Sequence, residues 1–531
     1  MKLNRRFSPA SLLMLSINGM LGSAWLFAPL YAAKIAGTGS IVAWIIGGIA
    51  TAIIALTFAE LSALLPVAGG TAQIPQLSHG TFTSFTLSWL AWLSALTMAP
   101  IEVQAVLQYA STYFPTLTYI ANGIPTLTNL GMLWATILMI GLCIVNVASF
   151  KGLVRFNFIL FLFKVVVIIL AVVYLVKASF HTSNFNDITS VYSIQGWQAI
   201  LTAVATGGIA FAFTGFKHGV ELAGETTKLK IAIPLAIVGS VLCCMLLYIG
   251  LQVAFIGALD SSLLVNGWSQ VNFSGDVGPF AGLAAGLGLF WLLKLLYFDA
   301  VISPLGAGLI YVTSTARILY AMSEIGFVPK FLSKLNKQGL PIAAVMTNFI
   351  IGMCLFLPLP NWQSMVGFLV SGMVLSYAMG PVALLCLRLD LPDEQRVFRL
   401  PMPKLICALA FYFCTMISYW TGWDTMYKLG ISILIGMVLF VVAYLRGKLK
   451  DQVLWFRSAI WVVPYISGLI LVSYLGAFGG KNVIAFGWDF IVLGVFSVGI
   501  LYLAVISRHN EIKITFANFL SQGTLTTKSV L

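Results

Sequence analysis

Hydrophobic residues in this chain come in long runs, several of them about 20 residues, separated by short polar segments. A helix of that length crosses the roughly 30 Å of hydrocarbon in a bilayer. Lipid offers the backbone no hydrogen bonds, so the runs must be helices rather than open strands. Hydropathy predicts spans near 11–33, 40–65, 82–114, 131–149, 154–177, 198–223, 231–257 and 282–316. Six more follow near 341–359, 362–387, 403–422, 428–445, 458–477 and 485–506, about 14 in total. No hydrophilic stretch is long enough to fold alone; the longest lie around His181–Tyr192, Ser323–Gly339 and after Ser507. Loop 323–339 sets Phe327, Val328, Phe331 and Leu332 among lysines, which predicts a short amphipathic helix lying on the membrane surface.

Two spans are interrupted. The first contains Asn18-Gly19-Met20-Leu21-Gly22-Ser23-Ala24-Trp25, and the sixth contains Gly207-Gly208 and Phe213-Thr214-Gly215-Phe216-Lys217. One such cluster is ordinary for close helix packing. Two of them, five spans apart, point to inverted repeats with broken helices. The expected architecture is an all-α polytopic membrane protein with residues 11–180 and 198–390 as a five-plus-five inverted repeat. Residues 403–506 add about four helices, and 1–10 and 507–531 flank the whole.

Composition narrows the class. The chain is 60% hydrophobic and 8% charged, too few charges to clothe soluble cores. The net charge of +13 would suit a nucleic acid, but its distribution follows membrane topology instead. With a cytoplasmic N-terminus, 22 of the 29 Lys and Arg fall inside. Four fall outside (Lys34, Lys177, Lys428, Lys481) and three within spans (Lys164, Lys217, Lys294). That asymmetry predicts an inner-membrane protein with both termini cytoplasmic. The first run follows Lys2, Arg5 and Arg6 like a signal peptide, but it is too long and carries a polar break, so it reads as an uncleaved span. All seven cysteines fall in predicted spans and read as packing residues; no metal or cofactor pattern appears. His79 and His218 read as loop and helix-end residues rather than metal ligands. Without a P-loop, G-x-S-x-G or H-E-x-x-H, neither ATP-driven transport nor an enzyme is expected.

The interrupted spans also carry a resemblance. Gly19-Met20-Leu21-Gly22-Ser23-Ala24 is similar to the G-x-x-G-S-G signature of the amino acid–polyamine–organocation superfamily, with Ala24 replacing the last glycine. Ala59-Glu60-Leu61-Ser62 through Pro66-Val67-Ala68-Gly69-Gly70 resembles its A-E-L…P-x-x-G-G motif. Phe213-Thr214-Gly215-Phe216…Glu221…Gly224-Glu225…Pro234 and Arg317…Tyr320-Ala321-Met322…Pro329 resemble two further motifs in the same order. Pro75-Gln76-Leu77-Ser78-His79-Gly80, Pro100-Ile101-Glu102 and Asp299-Ala300-Val301-Ile302-Ser303-Pro304 look like the aspartate–proton symporter branch. The resemblance covers spans 1–10 and implies a LeuT-like carrier fold. Lys217 departs from the pattern, since many relatives carry Glu there; a midplane cation favours an anionic substrate.

A carrier of this kind needs a midplane site that faces each side in turn. Breaking span 1 frees backbone groups, and a half-helix N-terminus suits a carboxylate. Gly22, Ser23 and Ala24 are therefore the expected ligands of an amino acid's α-carboxylate. Carbonyls near Phe211, Ala212 and Phe213, in the interruption that includes Gly215, would take the ammonium. By resemblance, Phe211 stands where relatives place an aromatic gate. Lys164 lies ~15 Å into span 5, where burial costs at least ~2.5 kcal/mol unless it finds a partner or exchanges its proton. The run Asn157-x6-Lys164 resembles the fifth helix of proton-coupled relatives, which implies proton coupling by Lys164 near Ser303; a structural pin to backbone carbonyls is the alternative. Glu102 and Asp299 lie at similar depths, ~28 and ~25 Å from the cytoplasmic face, and could pair with Lys294 or Lys217 or carry a proton. Glu60, Glu221 and Glu225, nearer the ends, could bridge to Arg155 or Lys228.

The expected function is secondary active uptake of an amino acid, coupled to protons, by a protein whose partners are its substrate, protons and the lipid bilayer. The same fold supports exchange. A sensor would call for a soluble signalling domain, and a channel for a repeated pore-lining segment.

Overall fold

Helix starts and stops follow local chemistry. Ser8 caps the first helix through its side chain, which accepts from the Ser11 N–H, and Pro9 fills the first turn where no N–H is needed. This helix, α1 (Pro9–Met20), ends at Leu21-Gly22, and α2 (Ala24–Ala36) starts from Ser23. In the computed structural model the described residues are 7–67, 70–121, 124–148, 150–186, 191, 193–273, 278–336, 339–392, 394, 396–445, 457–509, 512 and 516. The side chains of 72, 124, 148 and 150–157 are not among them.

Helix α3 (Ser40–Leu64) is followed by α4 (Gly70–Leu96), kinked where Gly80 takes φ +73°, and by α5 (Met98–Ala110). A small antiparallel hairpin, β1 (Thr118–Ala121) with β2 (Ile124–Leu127), pairs Thr118 with Leu127; hydropathy gave no sign of it. Then come α6 (Asn129–Ala148) and α7 (Phe150–Ala178). The second interrupted stretch is α8 (Ile194–Thr206), α9 (Ile209–Ala212), a 3-10 turn at Thr214–Phe216 and α10 (Lys217–Glu221). Helices α11 (Leu229–Pro234) and α12 (Ser240–Ala258) are joined by a π turn at Leu235–Gly239. After α13 (Pro279–Gly286) runs the long α14 (Phe290–Ile325). The remainder is α15 (Ile342–Cys354), α16 (Trp362–Tyr377), α17 (Met379–Asp390), α18 (Pro403–Trp420), α19 (Trp423–Leu445), α20 (Val462–Leu475) and α21 (Trp488–Ile506).

This is an all-α polytopic membrane fold. Among the described residues, twelve helical segments are long and apolar enough to cross a bilayer. Some hold two helices, such as Ala24–Leu64, while α1 and α15 are shorter apolar helices. The bundle is graded from inside to outside. The most apolar window of α4–α5 is wholly buried, whereas only 22% of the α19 window is. Outer faces carry Ile137, Ile144, Val166, Leu434 and Val495, apolar groups that in water would be a liability and in lipid are solvated.

Two expectations need correction. The span expected at 282–316 is divided, because Gly288 takes φ +70° between α13 and α14, and α14 runs on to Ile325. Loop 323–339 holds no amphipathic surface helix among its described residues, only a 3-10 turn at Lys330–Ser333. Gly326, at φ +95°, stops α14, and Phe327 and Leu332 turn inward and are buried while Phe331 stays exposed, so the apolar residues do not form one lipid-facing stripe. Ala68 and Gly69 of the span-2 motif and most of the tail after Ser507 lie outside the described residues.

Candidate functional site

The end of α1 leaves carbonyls that have no partner in their own helix. Three helices supply donors for three of them in succession. Lys164 Nζ on α7 donates to the Asn18 carbonyl (3.3 Å), Tyr311 Oη on α14 to Gly19 (2.5 Å), and Tyr248 Oη on α12 to Met20 (2.7 Å). Across the break, the first free N–H of α2, that of Ser23, donates to Glu102 Oε2 on α5 at 2.6 Å. The start of α2 thus holds a carboxylate, as a helix N-terminus should, but one that belongs to the protein. Gly22 permits this approach, since a Cβ there would strike the Glu102 carboxyl group. Ala24 follows as the first residue of α2 and is buried.

The second interruption closes over the first. Gly208 takes φ +93°, open to glycine at little cost, and a Cβ there would meet the Trp362 ring at 2.8 Å and Ala28 Cβ at 2.9 Å. Phe211, Ala212 and Phe213 are buried; the Phe211 carbonyl already accepts from Thr214 Oγ1 at 2.7 Å. Gly215 abuts the last turn of α1, where a Cβ would lie 2.7 Å from Met20 N and 2.8 Å from the Ser16 carbonyl. Above the break, Trp362 at the start of α16 donates its indole N–H to Ser23 Oγ at 3.0 Å. Its ring stacks on Tyr31 (5.4 Å between centroids) and meets Phe27 (5.5 Å) and, edge-on, Phe211 (5.9 Å). These four rings form one aromatic cluster.

The buried charges sort into two groups. Lys164, wholly buried, interacts electrostatically with both Asp299 and Glu102 without a direct ion pair to either. Asp299 Oδ1 accepts from Ser303 Oγ, one turn along α14, at 2.8 Å. So the four residues considered for proton coupling, Lys164, Glu102, Asp299 and Ser303, lie in one neighbourhood. The expected pairing of Glu102 and Asp299 with Lys294 or Lys217 is not found. Lys294 is exposed, five residues and therefore about 140° around the helix from Asp299. Lys217 belongs to the second group. It is fully buried, its Nζ lies 3.7 Å from Met373 Sδ, and its electrostatic partner is Glu221, which accepts from Thr71 Oγ1 at 2.5 Å.

The end-bridging carboxylates also find partners other than those expected. Glu60 receives Arg388 through two nitrogens (2.9 and 2.6 Å), the Leu400 N–H (2.7 Å) and Arg396 (3.5 Å). Glu225 pairs with Arg317 at 3.2 Å, while Lys228 is exposed and the Arg155 side chain lies outside the described residues. His79 is no loop residue. It is buried in α4 beside the kink, with Nε2 2.9 Å from the Ala504 carbonyl. His218 is buried in α10 with its ring 5.2 Å from that of Tyr311. Among the described residues no three His, Cys, Asp or Glu cluster as a metal would need.

Sequence reasoning missed Tyr248, Tyr311 and Trp362. Tyr311 had a signal: Asp299, Ser303, Ala307 and Tyr311 recur every four residues on one face of α14. Tyr248 and Trp362 had none, because each is placed by a helix remote in sequence.

The amino acid permease family profile matches residues 7–440. The chain belongs to that family. It is 34% identical over 506 residues to the glutamate/serine transporter AimA of Bacillus subtilis, covering 94% of this chain and 93% of that one. It is 33% identical over 498 residues to the aspartate–proton symporter of the same organism, covering 93% and 94%. Among solved structures it shares the fold of an Eremococcus coleocola manganese transporter, with a TM-score of 0.52 at 12% identity over 86% of this chain and 95% of that one. The family is one of transporters, not enzymes, so this permease carries its solute without covalent chemistry.

Proposed function

We propose that this permease takes up aspartate, glutamate or serine across the bacterial cytoplasmic membrane, driven by protons. The observation that carries the reading is a carboxylate held on the Ser23 N–H at the start of α2, deep in the bundle: this break binds the group every amino acid bears. Gly22, Ser23 and Ala24 take the substrate carboxylate, and the backbone around Ala212 and Phe213, beside Gly215, faces its ammonium. Phe211 and Trp362 close an aromatic lid. Lys164, with Ser303, Glu102 and Asp299, exchanges the coupled proton. Residues 11–180 and 198–390 act as the two inverted repeats of an alternating-access carrier, with 403–506 as an appended bundle of about four helices. Both termini lie in the cytoplasm, a reading the basic excess supports. The names of the two Bacillus relatives suggest the substrates, and the buried Lys217 favours an anionic one.

The test is uptake of labelled aspartate, glutamate, serine and arginine into proteoliposomes with an inward proton gradient, with and without protonophore. Accumulation of the first three that collapses with protonophore is expected. Uptake that ignores the gradient but needs an internal amino acid would make the protein an exchanger.

A further inference from the structure

Glu102 does more at the break than carry charge. Its Oε2 sits 2.6 Å from Ser23 N, and its Oε1 has no hydrogen-bond partner. The group is fully buried and pressed against Gly22, so that no β-carbon could stand between it and the chain. Chemically it is the same group as the α-carboxylate that Ser23 is proposed to bind. One N–H cannot donate fully to both, and two anions packed together in a dry site repel strongly.

We propose that Glu102 is a built-in surrogate for the substrate. Its carboxylate holds the Ser23 N–H between transport cycles, and an incoming α-carboxylate takes its place only when Glu102 accepts a proton and withdraws. The inference rests on the reading of Ser23 as the carboxylate site. The balance is one for one. A proton from water on the loading side adds to the Glu102 carboxylate, giving a neutral carboxylic acid, and the substrate's anionic oxygen replaces it on Ser23. The charge facing Lys164 is unchanged by the exchange, so the ammonium and Asp299 need not rearrange. Release on the far side reverses the step: substrate leaves, Glu102 gives up the proton and returns to Ser23.

The neighbours of Glu102 leave it as the group that makes this exchange. The titratable groups facing it are Lys164 from α7, Tyr248 from α12 and Tyr311 from α14. All three already donate to the α1 carbonyls. Asp299 also neighbours Lys164 and is bonded to Ser303, and His218 lies beside Tyr311 and Gly19. Trp362 reaches Ser23 too, but through the hydroxyl and with a group that does not titrate.

The experiment is calorimetric binding of serine, glutamate and aspartate to the purified full-length protein, repeated in buffers of different ionisation heat and across pH. For the wild type the expected result is uptake of about one proton per amino acid bound. On the alkaline side the affinity should weaken by up to about tenfold per pH unit, the linkage slope for one proton. Glu102→Gln should bind the same amino acids with no proton uptake and no pH dependence. Infrared difference spectra of the wild type should show a protonated-carboxyl band appearing on substrate addition, which keeps the test decisive if the variant does not fold. Binding by the wild type without proton uptake and without that band would overturn the inference while leaving the site reading intact. So would proton uptake that persists in Glu102→Gln. Failure of all three amino acids to bind the wild type would overturn the site reading itself.

Discussion

Replacing Lys164 by alanine removes the cation that two buried carboxylates share. In the structure its ammonium is wholly buried, donates to the Asn18 carbonyl and is in electrostatic reach of both Glu102 and Asp299. Taking away one partner of a buried charge cluster costs about 3–5 kcal/mol if the other charges stay. At about 1.36 kcal/mol per decade, that is two to four decades in the population of the charged state. The cheaper response is for the carboxylates to hold protons and become neutral. The variant is therefore expected to fold, with a stability deficit against wild type that is smallest at acid pH, where protons satisfy the carboxylates, and grows as pH rises.

The functional consequence separates coupling from scaffolding. A carrier whose carboxylates hold their protons cannot release one on the inside, so gradient-driven accumulation should fall to background. Exchange of internal for external substrate requires no net proton release and should continue. Proteoliposomes measure both: accumulation under an inward proton gradient, and counterflow with substrate on both sides. Lys164→Ala that still accumulates substrate and collapses with protonophore would refute proton coupling through Lys164. Loss of accumulation and counterflow together would make Lys164 a structural pin for the α1 carbonyls.

Other perturbations read other parts of the site. Trp362→Phe keeps the aromatic stack but deletes the bond to Ser23 Oγ, about 0.5–1.5 kcal/mol, so substrate affinity should fall roughly 2- to 10-fold; unchanged affinity would mean the ring alone makes the lid. Glu60→Gln strips the charge that holds Arg388 and Arg396, and should lower stability by about 3–5 kcal/mol, seen as earlier thermal unfolding in detergent and little altered by salt because the cluster is buried. Lys217→Met puts an apolar chain of similar length beside Met373; it should leave folding intact and shift uptake from aspartate toward serine, and an unchanged ratio would deny Lys217 a part in anion preference.

The parts of this architecture legible in the sequence are those set by the bilayer and by backbone chemistry. Span length is fixed by hydrocarbon thickness, and the glycines at 19, 22, 207 and 208 announced where helices stop. Depth was legible only in part: counting residues put Glu102 and Asp299 level with each other but Lys164 roughly 10 Å nearer the cytoplasm, whereas all three are electrostatic neighbours. Direction around a helix was legible but unused, since five residues separate Lys294 from Asp299 and turn it to the outside. What could not be read was adjacency between helices far apart in the chain. Glu60 meets Arg388 across 328 residues and Ser23 meets Trp362 across 339, and neither periodicity nor composition carries that information. The loop at 323–339 failed for a related reason: Phe327 and Leu332 were assigned to lipid because nothing in the sequence says that the neighbouring helices leave room for them.

The contacts around the break also indicate how such a site could open. The broken ends of α1 and α10 are joined by close apolar and backbone contacts: Gly19 against the His218 ring, Gly215 against Met20 and Ser16. Before α1, Phe7 bridges Thr226 and exchanges backbone bonds with Glu225 and Thr227. Pulling these apart would expose backbone groups and small-residue packing at many points, so the two interrupted stretches should move as one body. Their ties to the remaining helices combine ring and small-residue packing, such as Phe213 on Trp44 and Gly47 against Ile209, with single polar bonds: Ser23 to Glu102 and Trp362, Asn18 to Lys164, Gly19 to Tyr311, Met20 to Tyr248, Glu225 to Arg317. Each of these polar bonds can be exchanged for a bond to water or substrate at a net cost of about 0.5–3 kcal/mol. A carrier must cross between two states repeatedly, and the replaceable polar bonds are the part of this boundary that can be remade at each crossing, while the apolar contacts beside them must slide or repack.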